Sequence, residues 1–387
     1  MKRIYLDYNA TTPLAPEAAA AMQPWLGAQW GNPSSIHHEG RAAKAACETA
    51  RAQVAGLIGA QPREIVFTSG GTEANCLALL GATEPLQHRG RHVVISAIEH
   101  VSLPGAARAL TRRGFEVSIA PVTTDGVVDV GQLAGLIRPD TILLSVMAAN
   151  NETGVIQPVA QLAALAHQHG ALFHTDAAQA AGKLPVSVRD WQVDLLTLAA
   201  HKWYGPQGVG ALYVRSSVKI HPLLTGGHQE FALRSGTEAI APLVGCGVAA
   251  TIVARALPEE ANRLTSLRER LWEGLAARAE GLARNGAPEM CVANTLNVSV
   301  SDVDGPLLLM QLDLAGMAVS TGSACSSGSL EPSPVLLAMG RSTAQAKSAV
   351  RFSLGRLTTV EDIETAVDVT ARVVERLRAR AAVPALV

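Results

Sequence analysis

The chain predicts an α/β fold: a large domain on a mainly parallel mixed sheet between helices, joined to a smaller α+β domain. Three observations carry this. Between about Ala60 and Val214, short apolar runs alternate with helical patterns. Those runs are continuously apolar, as strands covered on both faces must be. The final third breaks the alternation, and 387 residues are too many for one small core.

The opening Met1-Lys-Arg-Ile-Tyr-Leu-Asp-Tyr8 enters a strand-like pattern at once, and the first dozen residues join the smaller domain or bridge the two. Ser35–Gly59 reads as one long Ala-rich helix with charges on one side. Strand-like runs follow at Glu64–Thr68, His92–Ala97, Phe115–Ala120, Thr141–Met147, Ala171–Thr175, Asp194–Leu198 and Gly210–Val214. Helical patterns at Thr72–Thr83, Leu103–Arg113, Val130–Ile137 and Pro158–His169 separate most of them. Pro242–Ala256 and Ala261–Leu282 read as two further helices. Then come a strand at Cys291–Ser301, a helix at Gly305–Gly316, a short strand at Ala318–Thr321 and a helical turn at Ser333–Met339. Val350–Leu354 is a last strand, and Thr359–Ala382 a long amphipathic helix. Residues 14–258 form the expected large domain; residues 1–13 and 259–387 form the small one.

Hydrophobic residues make up 48% and charged residues 17%, with a formal net charge of -1. With no long basic run, nucleic acid and acidic membranes are poor partners. The N-terminus has no signal-peptide core, and no apolar run reaches the roughly 18 residues of a membrane span, so a cytoplasmic protein is expected. The five cysteines are scattered, with no C-x-x-C pair, which excludes a disulfide framework and argues against zinc. Cys47, Cys76 and Cys246 lie in Ala-rich helical patterns and Cys291 opens a strand, all fitting small buried hydrophobes. Cys325 differs. It stands in Ser320-Thr-Gly-Ser-Ala-Cys-Ser-Ser-Gly-Ser329, with no apolar periodicity and no bulky neighbour. That setting fits an exposed, reactive thiol, or else a loop cysteine without a role.

In Thr197-Leu-Ala-Ala-His-Lys-Trp-Tyr-Gly-Pro-Gln-Gly-Val-Gly210, an apolar strand delivers Lys202 into a Gly- and Pro-rich turn. A partly desolvated amine there is a nucleophile toward aldehydes. A second run, Ala171-Leu-Phe-His-Thr-Asp-Ala-Ala-Gln179, ends in Asp176. An amine and a carboxylate on neighbouring strand ends suit pyridoxal 5'-phosphate, one forming the Schiff base and the other pairing with the pyridinium nitrogen. Taken singly, each is as readily a turn residue. Ser69-Gly-Gly-Thr-Glu-Ala-Asn75 runs from a strand into a helix, so Gly71 and Thr72 either meet a phosphate or merely cap the helix. His100, after the next strand, either faces a cofactor ring and moves protons or fills the core. Asn150-Asn151 either bonds a ring oxygen or substrate carboxylate or forms a turn. All five signals follow apolar strands, and the carboxyl ends of parallel strands share one edge, where ligands bind.

With these residues in place, the chain resembles the cysteine desulfurases, within class V of the pyridoxal-phosphate aminotransferases, over nearly its whole length. The resemblance rests on Tyr5-Leu-Asp-Tyr-Asn-Ala-Thr-Thr-Pro13, Gly31-Asn-Pro-Ser-Ser35, Ile65-Val-Phe-Thr-Ser-Gly-Gly-Thr-Glu73, Asn150-Asn-Glu-Thr-Gly154 and His174-Thr-Asp-Ala-Ala-Gln179. It rests also on His201-Lys202, Arg234-Ser-Gly-Thr237 and Arg351-Phe-Ser-Leu-Gly355. Ser323-Ala-Cys-Ser-Ser-Gly-Ser-Leu-Glu-Pro332 is similar to the branch serving iron–sulfur cluster assembly and thiolation.

The resemblance implies a fold-type I enzyme with Lys202 as Schiff-base lysine and proton carrier, Asp176 at the pyridinium nitrogen, and Gln179 at the ring hydroxyl. It implies His100 stacked on the ring, and Gly71, Thr72 and His201 at the phosphate, with Thr237 reaching the phosphate of a neighbouring subunit in a homodimer. Asn151 and Arg351 would orient L-cysteine, Arg351 by its carboxylate. Cys325 would take the sulfur as a persulfide for an acceptor protein. The isolated enzyme would hold no metal, Cys325 serving at most as a transient iron–sulfur ligand.

Four departures stand out. Ala199 replaces a serine that often donates to the phosphate. Phe231-Ala232 replaces a common Arg-Gly pair. Pro334 stiffens the end of the cysteine loop. The chain stops soon after the last helix, so a C-terminal docking surface that some relatives use for scaffolds is expected to be absent or altered. Alternatives are a selenocysteine lyase or another class V aminotransferase and, in a different class, a non-catalytic partner-binding scaffold.

Overall fold

The computed structural model describes residues 3–321 and 331–381. Strand β1 (Ile4–Tyr5) opens the chain, followed by helices α1 (Pro16–Met22) and α2 (His38–Ile58). The alternating section lays down β2 (Ile65–Thr68), α3 (Gly71–Cys76), β3 (His92–Ser96), α4 (Ser102–Arg112), β4 (Glu116–Ala120), α5 (Val130–Leu136) and β5 (Thr141–Ser145). It continues with α6 (Val159–Gln168), β6 (Leu172–Asp176), α7 (Val188–Trp191), β7 (Leu195–Ala199) and β8 (Gly210–Val214). The remainder is α8 (Ile240–Arg278), β9 (Leu282–Arg284), β10 (Thr295–Val300), α9 (Gly305–Leu314), β11 (Met317–Ala318), α10 (Pro334–Ala338), α11 (Thr343–Lys347), β12 (Ala349–Ser353) and α12 (Val360–Ala381).

The seven apolar runs all become strands of one sheet, in the order β2-β8-β7-β6-β5-β3-β4. Neighbours from β7 to β4 pair in parallel, whereas β8 is antiparallel to both β7 and β2. The sheet is therefore mainly parallel and mixed, as expected. Every residue of β3, β5, β7 and β8 is buried, because helices cover both faces. In this sheet only the edge strand β4 has exposed residues, Glu116 and Ile119.

Two smaller sheets serve the C-terminal region. β9, β10 and β12 form an antiparallel sheet with β10 in the centre. β1 pairs in parallel with β11, Ile4 opposite Met317, so the N-terminus is drawn into this region. Leu267, Leu271, Val298, Leu308, Phe352 and Val373 belong to its core.

Three local expectations need correction. The two helices read at Pro242–Ala256 and Ala261–Leu282 are one helix, α8, which runs through Pro258. A proline removes one hydrogen bond and crowds the preceding turn, but packing along the whole length outweighs that cost. Leu243, Cys246 and Ala250 pack on α2 in the main core, and Leu264, Leu267 and Leu271 sit in the C-terminal core. Gly247 lets α2 approach closely: a Cβ there would lie 2.6 Å from Ala50 Cα. Leu282 leaves the helix and starts β9, after Gly281 takes a left-handed φ of 64°. The helix expected from Thr72 widens into a π-turn over Leu77–Gly81. Cys47 and Cys246 are buried as expected, but Cys76 and Cys291 are only partly so.

By length and composition α8 is the one described helix that could cross a membrane. Thr251 and Arg255 interrupt its apolar run and hide that feature in the sequence. Here its apolar residues serve the two cores.

Candidate active site

The carboxyl ends of β2, β3, β5, β6 and β7 open on one edge of the main sheet, and a cavity of about 580 Å³ lies there. The turn into α3 brings Gly71 and Thr72 to its wall, the segment after β3 brings His100, and the segment after β5 brings Asn151. Asp176 and Gln179 come from the end of β6, and Ala199, His201 and Lys202 from the end of β7. Arg351 reaches the cavity from β12, across from the main sheet. Ten of the expected site residues thus meet in one space. Thr237 is exposed and does not line this cavity. Cys325 lies outside the described residues.

Lys202 Nζ donates to the backbone oxygens of Asn9 at 2.6 Å and Ala10 at 2.9 Å. Asp176 is buried and held from both sides. Its Oδ2 accepts from Asn75 Nδ2 at 2.7 Å and its Oδ1 from the Ala178 N–H at 2.9 Å. The same Asn75 amide donates to Ser102 Oγ at 2.9 Å. With that lone pair used, the Ser102 hydroxyl is free to donate to His100 Nδ1, 2.8 Å away, and the Ser102 N–H points at the same nitrogen from 3.3 Å. Nδ1 is therefore an acceptor, and a neutral His100 carries its proton on Nε2. One chain of hydrogen bonds, Asp176–Asn75–Ser102–His100, sets both the carboxylate and the imidazole.

His201 bonds Thr11 Oγ1 through Nδ1 at 3.2 Å. Burial, then the charges of Lys202 and Lys183, push its pKa down to about 4, so the ring is neutral near pH 7 and serves as a plain N–H donor. Arg351, 2% exposed, donates from Nη1 to Asn151 O and from Nη2 to Asp7 Oδ1, each at 2.7 Å. Its Nε–H has no partner among the described residues.

The described residues on either side of 322–330 adjoin this wall. Ser320 pairs with the Arg351 backbone, and Ser333 donates to Glu152, the neighbour of Asn151. Ser333 also caps α10, with Pro334 in the first turn, where a proline is harmless. Burial raises the Glu152 carboxyl above its ordinary range, while Ser333, Arg351 and His100 oppose that shift.

Sequence reasoning missed the supporting residues. Asn75 was legible in principle: it lies three residues after Thr72 and so on the same helix face. Ser102, two residues after His100 at the start of α4, carries no such helix-face signal. Asn9 left no local signal. Its partners Asn151, Asn294, Thr295 and Ser353 are far away in the chain.

Residues 4–365 match the family described as Aminotransferase class-V. The chain is 46% identical over 379 residues to cysteine desulfurase IscS of Dictyoglomus turgidum, covering 98% of this chain and 96% of the relative. Among solved structures it is similar to a NifS-like protein, with a TM-score of 0.91 and 36% identity over 97% of this chain and all of that one. It is also similar to SspA in complex with cysteine, with a TM-score of 0.80 and 36% identity, over 91% of this chain and 98% of that one.

Proposed function

The chain belongs to the class V aminotransferase family, in its cysteine desulfurase branch, and from that premise we propose that the cavity takes pyridoxal 5'-phosphate and L-cysteine and that Cys325 accepts the sulfur, leaving L-alanine. The lining residues fit this cofactor. A volume of about 580 Å³ is in the range of small-molecule sites. It holds an amine, a carboxylate fixed through both oxygens, a neutral imidazole donor and an amide. The turn at Gly71 is as small as it can be: a Cβ there would already stand 3.3 Å from the Ala199 Cβ.

Asp176 would meet the ring nitrogen and Gln179 the ring hydroxyl, with His100 over the ring. Gly71, Thr72, Ala199 and His201 would surround the phosphate, joined by Thr237 of a second copy of the chain. When bound, the cofactor supplies an aldehyde for the Lys202 amine and an electron sink beside the substrate's Cα. Lys202 Nζ takes the Cα proton and returns one later. His100, with its proton on Nε2, assists that transfer. Arg351, which lines the cavity, would meet the substrate carboxylate through its guanidinium, held in place by its bonds to Asn151 and Asp7.

The sulfur step conserves atoms. The Cys325 thiolate attacks the substrate sulfur, an S–S bond forms, the Cβ–S bond breaks and Cβ takes a proton. Cysteine and a thiol thereby become alanine and a persulfide. The flanks of the cysteine segment, Ser320 and Ser333, lie against Arg351 and Glu152, which supports delivery of Cys325 to this cavity. The persulfide then passes to an acceptor protein such as an iron–sulfur scaffold, from a homodimer in the cytoplasm.

The observation that carries this reading is the convergence of Lys202, Asp176 and Arg351, from three elements, on one cavity. Cys325→Ser tests it. Persulfide formation and sulfide release should vanish while the cofactor-loaded protein keeps its visible absorbance. A mutant that makes alanine from cysteine at the parental rate would remove Cys325 from the mechanism.

A further inference from the structure

Lys183 is a second amine beside the cavity, seven residues after Asp176, and has entered so far only through its effect on His201. Its Nζ donates to Asn9 Oδ1 at 2.8 Å and to Gln179 Oε1. The Gln179 amide donates in turn from Nε2 to the Asn9 backbone oxygen at 2.9 Å, the same oxygen that accepts from Lys202. We propose that Lys183 is a positioning residue: its Nζ, donating to Gln179 Oε1, locks the Gln179 amide so that an N–H, not the carbonyl oxygen, is presented to the cavity.

The argument needs only donor and acceptor rules. Lys183 Nζ donates to Gln179, so the Gln179 atom beside it is oxygen. A backbone carbonyl can only accept, so the atom facing Asn9 O must be nitrogen. Both neighbours demand one orientation, and one N–H of Nε2 remains for the cavity that Gln179 lines. An electron-rich ring oxygen needs such a donor, and a carbonyl there would repel it.

Lys183 also steadies Asn9, whose Oδ1 takes a second bond from Asn294 at 3.0 Å and whose Nδ2 donates to Thr295 at 2.8 Å. Asn9 and Gln179 are both nearly inaccessible, so losing the Lys183 amine would leave Gln179 Oε1 buried without a partner. The place is a poor one for a cation. Burial disfavours the charge most, followed by Lys202 and then Arg351. Stability alone does not account for a lysine here.

The inference rests on the cavity taking pyridoxal 5'-phosphate. Four variants test it: Lys183→Met, Lys183→Arg, Gln179→Leu and the double Lys183→Met/Gln179→Leu. The readouts are the cofactor dissociation constant, the position of the visible absorbance band and the melting midpoint of cofactor-free protein. Lys183→Met should weaken cofactor binding about 10-fold and move the band, as expected for a lost hydrogen bond to a buried acceptor. Lys183→Arg should restore both. In the Gln179→Leu background, Lys183→Met should add nothing further.

A methionine variant that matches the parent in affinity and band overturns the proposal, and so does an equal loss in both backgrounds. If the methionine protein does not fold, Lys183→Gln replaces it with the same criteria. A parent protein that binds no pyridoxal 5'-phosphate would sink the functional reading itself, which keeps the two failures distinct.

Discussion

Glu99 precedes His100 and is buried with one oxygen satisfied and one not. Oε1 accepts from the Met147 N–H at 2.8 Å and from Ser96, while Oε2 has no partner among the described residues. Burial, assisted by the charge of Asp176, pushes its pKa from 4.5 up to about 8. A carboxyl raised in this way keeps its proton in the folded chain after the unfolded chain has released it. Its contribution is therefore present below about pH 4.5 and is lost as the pH climbs to about 8. The buried histidines act in the opposite sense. His174 falls to about 3 and His201 to about 4, both from 6.5, chiefly through burial, so they lower stability as the pH drops from 6.5 toward those values. Glu99→Gln should flatten the alkaline side of the profile, measured as urea midpoints at about pH 5 and about pH 9. An unchanged difference between the two would mean that Glu99 is ionised in the folded protein.

The turn before Arg234 shows how an element survives a poor local sequence. Glu230, Phe231 and Ala232 take φ values of 47°, 61° and 62°, a left-handed stretch without a glycine. Such residues cost roughly 1–2 kcal/mol each. A buried pair holds them: Arg51 donates to both Glu230 oxygens at 2.6 and 2.7 Å, and the Phe67 N–H reaches Glu230 at 2.7 Å. The Arg51 guanidinium lies between the rings of Phe67 at 4.9 Å and Phe231 at 5.1 Å. Phe231 thus packs where the common arginine would stand, and Ala232 bears strain a glycine would not. Ala232→Gly should stabilise the protein by roughly 0.5–1 kcal/mol, seen as a higher melting midpoint. A lower midpoint would show the turn to be unstrained. At this scale the sequence was readable where the signal is local. Apolar runs marked all seven strands, and polar residues at their ends marked Lys202, Asp176 and His100. Long-range packing was not readable. It carries α8 through Pro258, and it brings Arg351 and Asn9 to the cavity from 149 residues after Lys202 and from the other end of the chain. Arg351 was named through family resemblance alone.

For the whole molecule, the exposed position of Thr237, off its own cavity wall, fits completion of each site by a second copy. A mixed dimer tests this. Lys202→Ala removes the amine from one subunit's cavity, and on the proposed sharing of sites Thr237→Val is expected to weaken the cavity of its neighbour. Co-expressed, the two should regain one intact site per mixed dimer, with activity above that of either variant alone. Activity no better than the average of the parents would place Thr237 in its own subunit's chemistry or in none. The N-terminal segment has a different consequence. Asn9 bonds residues 294, 295 and 353, and it supplies the oxygen that holds Lys202. Synthesis runs from the N-terminus, so 344 residues separate Asn9 from its partner Ser353 as the chain is made. A nascent chain with its main sheet already folded still lacks the partners that fix Asn9, and with them the clasp for the Lys202 amine.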